Sequence, residues 1–171
     1  PTFVPGTTPR TQPGVDLALL KLERPLGSDF APFDPRQAGG IAEGEMVTVA
    51  GFGVSSERLK NSARTLRQVQ LLAVGTVEVA NRVVIATDRA RLAETVGAGA
   101  CRGDSGGPVL VATPGGYRLS GIVSWSSGAL RANGPNACGG LTAVTSLQDH
   151  MGWIRQATRS LDGMASAWAR H

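Results

Sequence analysis

The chain has 171 residues, 42% of them apolar and 18% charged, enough for one ordinary domain with a buried core and too apolar for a compositionally disordered segment. Its 17 basic and 13 acidic side chains give a formal charge of +4, but the arginines are scattered and no basic run tracks a phosphate backbone, so nucleic acid is not an expected partner. No stretch reaches the roughly eighteen consecutive apolar residues of a membrane span, and the start lacks a basic segment followed by an apolar one, so no membrane partner is expected.

Prolines at 1, 5, 9 and 13 fix much of the first segment in extended geometry, which predicts a surface connection. Val15 to Leu22 (VDLALLKL) is short and mostly apolar and predicts a buried strand, ended by Arg24-Pro25 and Gly27. Pro32, Pro35, Gly39 and Gly40 then mark a long loop. Met46 to Ala50 predicts a strand entering Gly51-Phe52-Gly53, and Leu66 to Val74 and Val83 to Ala86 predict two more. The strongest hairpin signal is Val109 to Ala112, the turn Pro114-Gly115-Gly116, and Tyr117 to Trp125. Helical spacing occurs only at the end. Ser146 is the predicted cap, with Asp149 three residues on, and Leu147, Met151, Ile154, Thr158 and Leu161 form a stripe that should pack on a sheet. Gly163 is a possible interruption, and Met164 to His171 forms a tail.

Cys101-Arg102-Gly103-Asp104-Ser105-Gly106-Gly107-Pro108 sets one hydroxyl among three glycines beside an acid. A nucleophilic serine needs this exposure of backbone. Attack on a carbonyl develops an oxyanion, and two main-chain N–H groups aimed at it stabilise it by about 3 kcal/mol each. Gly103 and Ser105 are the candidate donors, and side chains at Gly106 or Gly107 would obstruct close approach. Taken alone, the segment is also what a tight surface turn is made of. Cys101 and Cys138 are the two cysteines; they are either free thiols or a bridge, and a bridge would persist in an oxidising compartment.

CRGDSGGPVLV, the later GIVSW and the upstream DLALLKL occur together and in this order, and the chain from Val15 to about Ile154 thereby resembles the trypsin/chymotrypsin family of serine peptidases. Gly51-Phe52-Gly53 stands where that family usually has Gly-Trp-Gly. The resemblance implies an all-β fold of two antiparallel β-barrels with a C-terminal helix: residues 1–45 as part of the first barrel and the linker, 46–145 as the second barrel, and 146–171 as helix and tail. It implies Ser105 as nucleophile and Asp16, otherwise a plain strand-edge aspartate, as the acid that orients a catalytic histidine. It makes Asp104 the acid that sets the oxyanion site on activation. Ser124 and Trp125 would pair with substrate backbone; Gly99, Ala100, Arg102, Ser126 and Gly140 would line the substrate pocket; and Cys101 and Cys138 would form a disulfide. Gly99 stands where trypsins carry an aspartate, so a basic side-chain preference is not expected. No metal or organic cofactor is implied.

The family's order is histidine, aspartate, serine, yet His150 and His171 both follow Ser105. The base is therefore expected on a histidine-bearing polypeptide of the same precursor, separate or removed, and the chain starts without methionine. The expected function is a secreted serine endopeptidase acting on peptide or protein substrates, inactive without that segment. The alternative is an inactive homologue retained as a protein-binding module. An α/β-hydrolase, whose elbow pattern Gly103-x-Ser105-x-Gly107 also satisfies, fits poorly because strand-like runs and not a helix follow Ser105. Two lysines against fifteen arginines point to a GC-rich bacterial gene.

Overall fold

The structure, a computed structural model, describes residues 14–34, 37–134 and 136–168, with 60 and 162–168 described by backbone alone. The proline-rich segment before Gly14, Pro35 and the final tail residues including His171 lie outside it. Six strands form a closed antiparallel barrel: β1 (Met46–Gly51), β2 (Arg67–Val79), β3 (Asn81–Thr87), β4 (Pro108–Thr113), β5 (Gly116–Ser126) and β6 (Leu141–Ser146). Around the barrel the order is β1-β2-β3-β6-β5-β4, with β4 closing on β1. With α1 (Met151–Trp168), the one α-helix among the described residues, after it, this is the all-β architecture with a terminal helix that the sequence predicts.

Alternation along the strands fixes the register. Val47 and Val49 of β1 face Leu71 and Val69 of β2 and Val111 and Val109 of β4. These residues, with Ala73, Val84, Ala86, Val123 and Val144, fill the interior. A six-stranded barrel has little interior volume, which explains why valine and alanine dominate and Leu71 is the largest fully buried side chain. A second cluster, Val83, Ile85 and Ala143 with Trp125 and Leu141, lies on the outer face of β3 and β6, so β3 is buried on both sides and reads as a continuous apolar run.

The hairpin β4–β5 forms as predicted, with Thr113 paired to Gly116. Two β-bulges interrupt β5. One leaves Ser120 unpaired between the Val109–Gly121 and Leu110–Leu119 pairs. The other leaves Ser124 unpaired between Val123–Val144 and Trp125–Ala143.

Three local expectations are corrected. Residues 15–22 form no strand, and Leu20 is 87% exposed with Leu22 also exposed; no sheet edge among the described residues pairs with this segment, so its apolar character alone cannot order it. Ser146 is not a helix cap but the last residue of β6, and the chain enters α1 through a 3-10 turn, Gln148–His150, with no side-chain cap. Thr158 points outward and bonds back to the Ile154 carbonyl at 2.8 Å, while Ala157 takes the half-buried position with Met151, Ile154 and Leu161. The helix continues through Gly163. β6, with its mixed sequence LTAVTS, is a strand the periodicity did not mark.

Leu71→Ala should lower the unfolding free energy by about 2–5 kcal/mol through lost burial and a residual cavity, whereas Leu130→Ala, on an exposed loop, should change it by less than about 0.5 kcal/mol. Urea unfolding midpoints at unchanged slope check both.

Candidate active site

The loop from Cys101 to Gly107 connects the pocket-side segment to β4 and is built from two tight turns, closed by Asp104 N–H to Cys101 O at 3.1 Å and Gly107 N–H to Asp104 O at 2.9 Å. Gly103 and Gly106 adopt φ of 93° and 83°, a left-handed conformation that a side chain would strain. At Gly106 conformation is the whole constraint, because a Cβ there would meet nothing within 4 Å; the expected obstruction applies instead at Gly107, where it would stand 2.7 Å from the Ala50 carbonyl oxygen.

Asp104 holds this loop to the barrel. Its Oδ1 accepts from Gly53 N–H at 2.8 Å and its Oδ2 from Cys101 N–H at 2.9 Å. Gly51 and Gly53 make room for it, since a Cβ on either would overlap the carboxyl group. Val54 N–H adds a bond to Arg102 O at 3.0 Å. On the other side, Gly106 N–H donates to Val123 O at 2.8 Å and Val123 N–H to Gly107 O at 2.9 Å. Ser105 is left exposed at the tip. Among the described residues nothing accepts from the N–H of Gly103 or of Ser105, so both donors are available to a ligand.

The residue after Val123 is the bulged Ser124. Its hydroxyl, buried with the rest of the residue, donates to Asp16 Oδ2 at 2.6 Å, and Thr145 Oγ1 donates to the Asp16 carbonyl at 3.2 Å. Bulges re-aim side chains beside functional sites, and this one turns Ser124 to the segment bearing Asp16. Asp16 and the Ser105 loop thus meet on neighbouring positions of one strand. His150, the histidine among the described residues, is half-buried in the 3-10 turn before α1.

The expected pocket wall is also assembled. Ala100 N–H donates to the buried Thr142 Oγ1 at 3.0 Å, and the Ala100 methyl joins the barrel interior. Gly99 lies against Thr142, Gly139 and Gly140. A Cβ on Gly140 would overlap the Gly128 carbonyl, so this glycine lets the loop after Trp125 and Ser126 fold back. Cys101 and Cys138 form a disulfide across the two walls, a closure worth about 4 kcal/mol for a loop of this length. A cavity of about 700 Å³ opens beside Asp104, bounded also by Gly53, Gly99, Cys138 and Gly139. No group of three or more His, Cys, Asp or Glu side chains among the described residues could hold a metal ion.

Some contributors carry no sequence signal. Arg67 Nη1 donates to the carbonyls of Gly53, Ser62 and Thr65 at 3.3, 2.7 and 3.3 Å and so shapes the loop that holds Asp104. Asp88, just after β3, gathers Ala90 and Arg91 N–H on Oδ1 and Ala98 N–H on Oδ2, at 2.8, 3.3 and 2.8 Å. The loop it ties leads directly into Gly99.

Residues 2–151 match the trypsin family model. The chain belongs to the trypsin family. It is 31% identical to Trypsin-1 of Astacus astacus over 82% of this chain and 58% of that protein. Against Trypsin alpha-4 of Lucilia cuprina it is 30% identical over 91% of this chain and 58% of that one. Against vitamin K-dependent protein C of Mus musculus it is 34% identical over 69% of this chain and 28% of that one. This trypsin-family chain therefore spans a little over half the length of the two trypsins it matches.

Hydrogen bonds from Ala98 and Ala90, in that order, hold the Asp88 carboxyl below its ordinary pKa, against a smaller opposing effect of desolvation. A depressed carboxylate contributes stability that is full above its unfolded pKa, near 3.9, and is lost as pH falls through the lower folded value. Asp88→Asn in this trypsin-family chain should cost about 1 kcal/mol at neutral pH through a lost hydrogen bond and flatten the loss of stability below about pH 4; denaturant melts between pH 2 and 7 check this.

Proposed function

We propose that this protein is a serine endopeptidase that hydrolyses peptide bonds through an acyl-enzyme on Ser105. The observation that carries the reading is the junction at β5: Val123 pins the Ser105 loop while Ser124, the next residue, holds Asp16 at 2.6 Å. The family's nucleophile and acid positions thus share one anchor.

In that mechanism an imidazole takes the Ser105 proton as Oγ attacks the scissile carbonyl. Asp16 accepts the imidazole's other N–H and stabilises the imidazolium that results. The N–H groups of Gly103 and Ser105 receive the oxyanion. The imidazolium then protonates the leaving amine, and water, deprotonated by the same base, cleaves the acyl ester. The base comes from a segment upstream of Asp16 that this sequence does not include, either a separate chain of the same precursor or a part removed from it. The exposed apolar side chains of Leu20, Leu22, Leu26, Phe30 and Phe33 support residues 1–45 as part of a first barrel and linker completed by that segment, with 46–145 as the second barrel and 146–171 as helix and tail. The cavity beside Asp104 suits the inserted ammonium of a mature amino terminus, as the resemblance implies.

An uncharged Gly99 at the pocket base, set against Gly139 and Gly140, favours an apolar or aromatic side chain over a basic one, with Ser124 and Trp125 pairing with substrate backbone, Ser126 lining the pocket, and Arg102 and Gly140 at the rim. The disulfide supports a secreted protein, and the arginine-over-lysine bias supports a bacterial gene.

The full-length protein, upstream segment included, should be labelled at Ser105 by a fluorophosphonate probe. Ser105→Ala should abolish labelling, and Asp16→Asn should lower kcat by about 10⁴-fold, the size of loss this exchange has in the family. A full-length protein that binds peptides yet resists the probe would instead be an inactive homologue acting as a binding module.

A further inference from the structure

One carboxylate outside the catalytic set brackets the disulfide. Glu57 lies on the loop between β1 and β2, and its Oε1 accepts from Arg102 Nε at 2.9 Å and from Ala137 N–H at 2.9 Å. Arg102 directly follows Cys101, and Ala137 directly precedes Cys138. The same two walls that the covalent bridge joins are therefore joined again, from a third loop, by a single oxygen. The Glu57 side chain is 25% exposed against 69% for Arg102, so the carboxylate is the sheltered partner. Charge-assisted bonds of this kind are stronger than neutral ones, whereas an isolated surface ion pair would contribute little.

The loop from Ser127 to Ala137 needs such support. On one side it is docked by backbone bonds from Leu130 N–H to Ala93 O at 2.7 Å and from Arg131 N–H to Glu94 O at 3.2 Å, and by the Arg131–Glu94 ion pair at 2.7 Å. Its base is closed by Ser127 N–H to Leu141 O at 2.9 Å and Gly140 N–H to Ser127 O at 3.0 Å, Gly97 N–H meets Gly139 O at 2.8 Å, and toward the Ser105 loop the bridge and Glu57 add to these ties. Glu57 is in turn seated by its own loop, which Arg67 gathers through the Gly53, Ser62 and Thr65 carbonyls.

We propose that Glu57 is a positioning residue that, together with the bridge, sets the separation of the two pocket walls, Gly99–Arg102 and Ala137–Gly140, by holding the residues beside each half-cystine. It touches no reacting atom and acts through Arg102 and Ala137. The inference rests on the peptidase reading for its kinetic consequence but not for its structural one. Glu57→Ala frees both walls and Arg102; Glu57→Gln keeps an acceptor oxygen in place and loses only the charge.

The test uses the full-length protein and two readouts. Glu57→Ala should speed reduction of the Cys101–Cys138 bridge by dithiothreitol at least fivefold, followed by alkylation and intact mass. It should raise KM for a neutral peptide substrate about tenfold while kcat stays within about twofold. Glu57→Gln should restore most of the KM and part of the protection. Reduction at the wild-type rate in Glu57→Ala overturns the proposal, and so does accelerated reduction with KM unchanged. A wild-type protein that neither cleaves peptides nor takes the fluorophosphonate probe would sink the peptidase reading alone, and the reduction rates would still decide whether Glu57 joins the walls.

Discussion

The Asp104 carboxylate is the constraint on which the candidate site depends. The loop around Ser105 has two turns, two left-handed glycines and few side chains, so nothing in its own composition would hold it in one shape. Two backbone amides, from Gly53 and Cys101, converge on the two oxygens of this one acid. Hydrogen bonds to a charged group contribute about 1.5–3 kcal/mol each, enough to select one conformation for a short glycine-rich segment. Remove the acid and the N–H groups of Gly103 and Ser105 lose their fixed frame, and Cys101 loses one of its anchors beside the disulfide. The small residues at 51 and 53 are the counterpart of this arrangement: they are empty because the carboxyl group occupies the space.

The barrel itself takes no direct part in the proposed chemistry. It supplies a stiff wall whose interior of valine and alanine leaves no freedom of register, and the loops at one end do the rest, as is usual for sites built on rigid scaffolds. Three of these loops lean on one another. The Asp88 knot feeds Gly99 into the pocket wall; the loop gathered by Arg67 reaches Asp104 and Glu57; and the loop after Ser126 folds back through Gly128 and Gly140. The first two rely on side chain to backbone bonds and the third mainly on backbone to backbone bonds, which position a chain without needing an apolar core of its own.

How much of this was legible in the sequence follows from how local each signal is. The Ser105 segment and the β4–β5 hairpin could be read because their defining residues are neighbours: glycines at positive φ, and a Pro-Gly-Gly turn between apolar runs. β6 escaped because LTAVTS carries no clean alternation; its polar Thr142, Thr145 and Ser146 are buried as hydrogen-bonding members of the framework. The strand expected at 15–22 failed for the opposite reason, since an apolar run becomes a strand only when another edge pairs with it. Glu57 was invisible because its partners lie 45 and 80 residues away, and Arg67 because it binds backbone carbonyls, which any sequence offers, so that no pattern distinguishes it from a surface charge. Asp16 was found by family order alone, and its bond to Ser124 spans 108 residues.

The bulge at Ser124 has one further implication, for how this fold tolerates changes in length. Val123 faces the barrel interior opposite Val144, and Trp125, two positions on, faces the outer cluster opposite Ala143; in an unbroken strand both would point the same way. The extra residue inverts the phase of everything downstream. Excising Ser124 would set Trp125 directly after Val123, where plain alternation still turns the indole outward, so the facing of the pocket rim would survive while the hydroxyl that grips Asp16 would be lost. At this point of β5, therefore, the length of the strand is tied to one polar contact and not to the packing of the core.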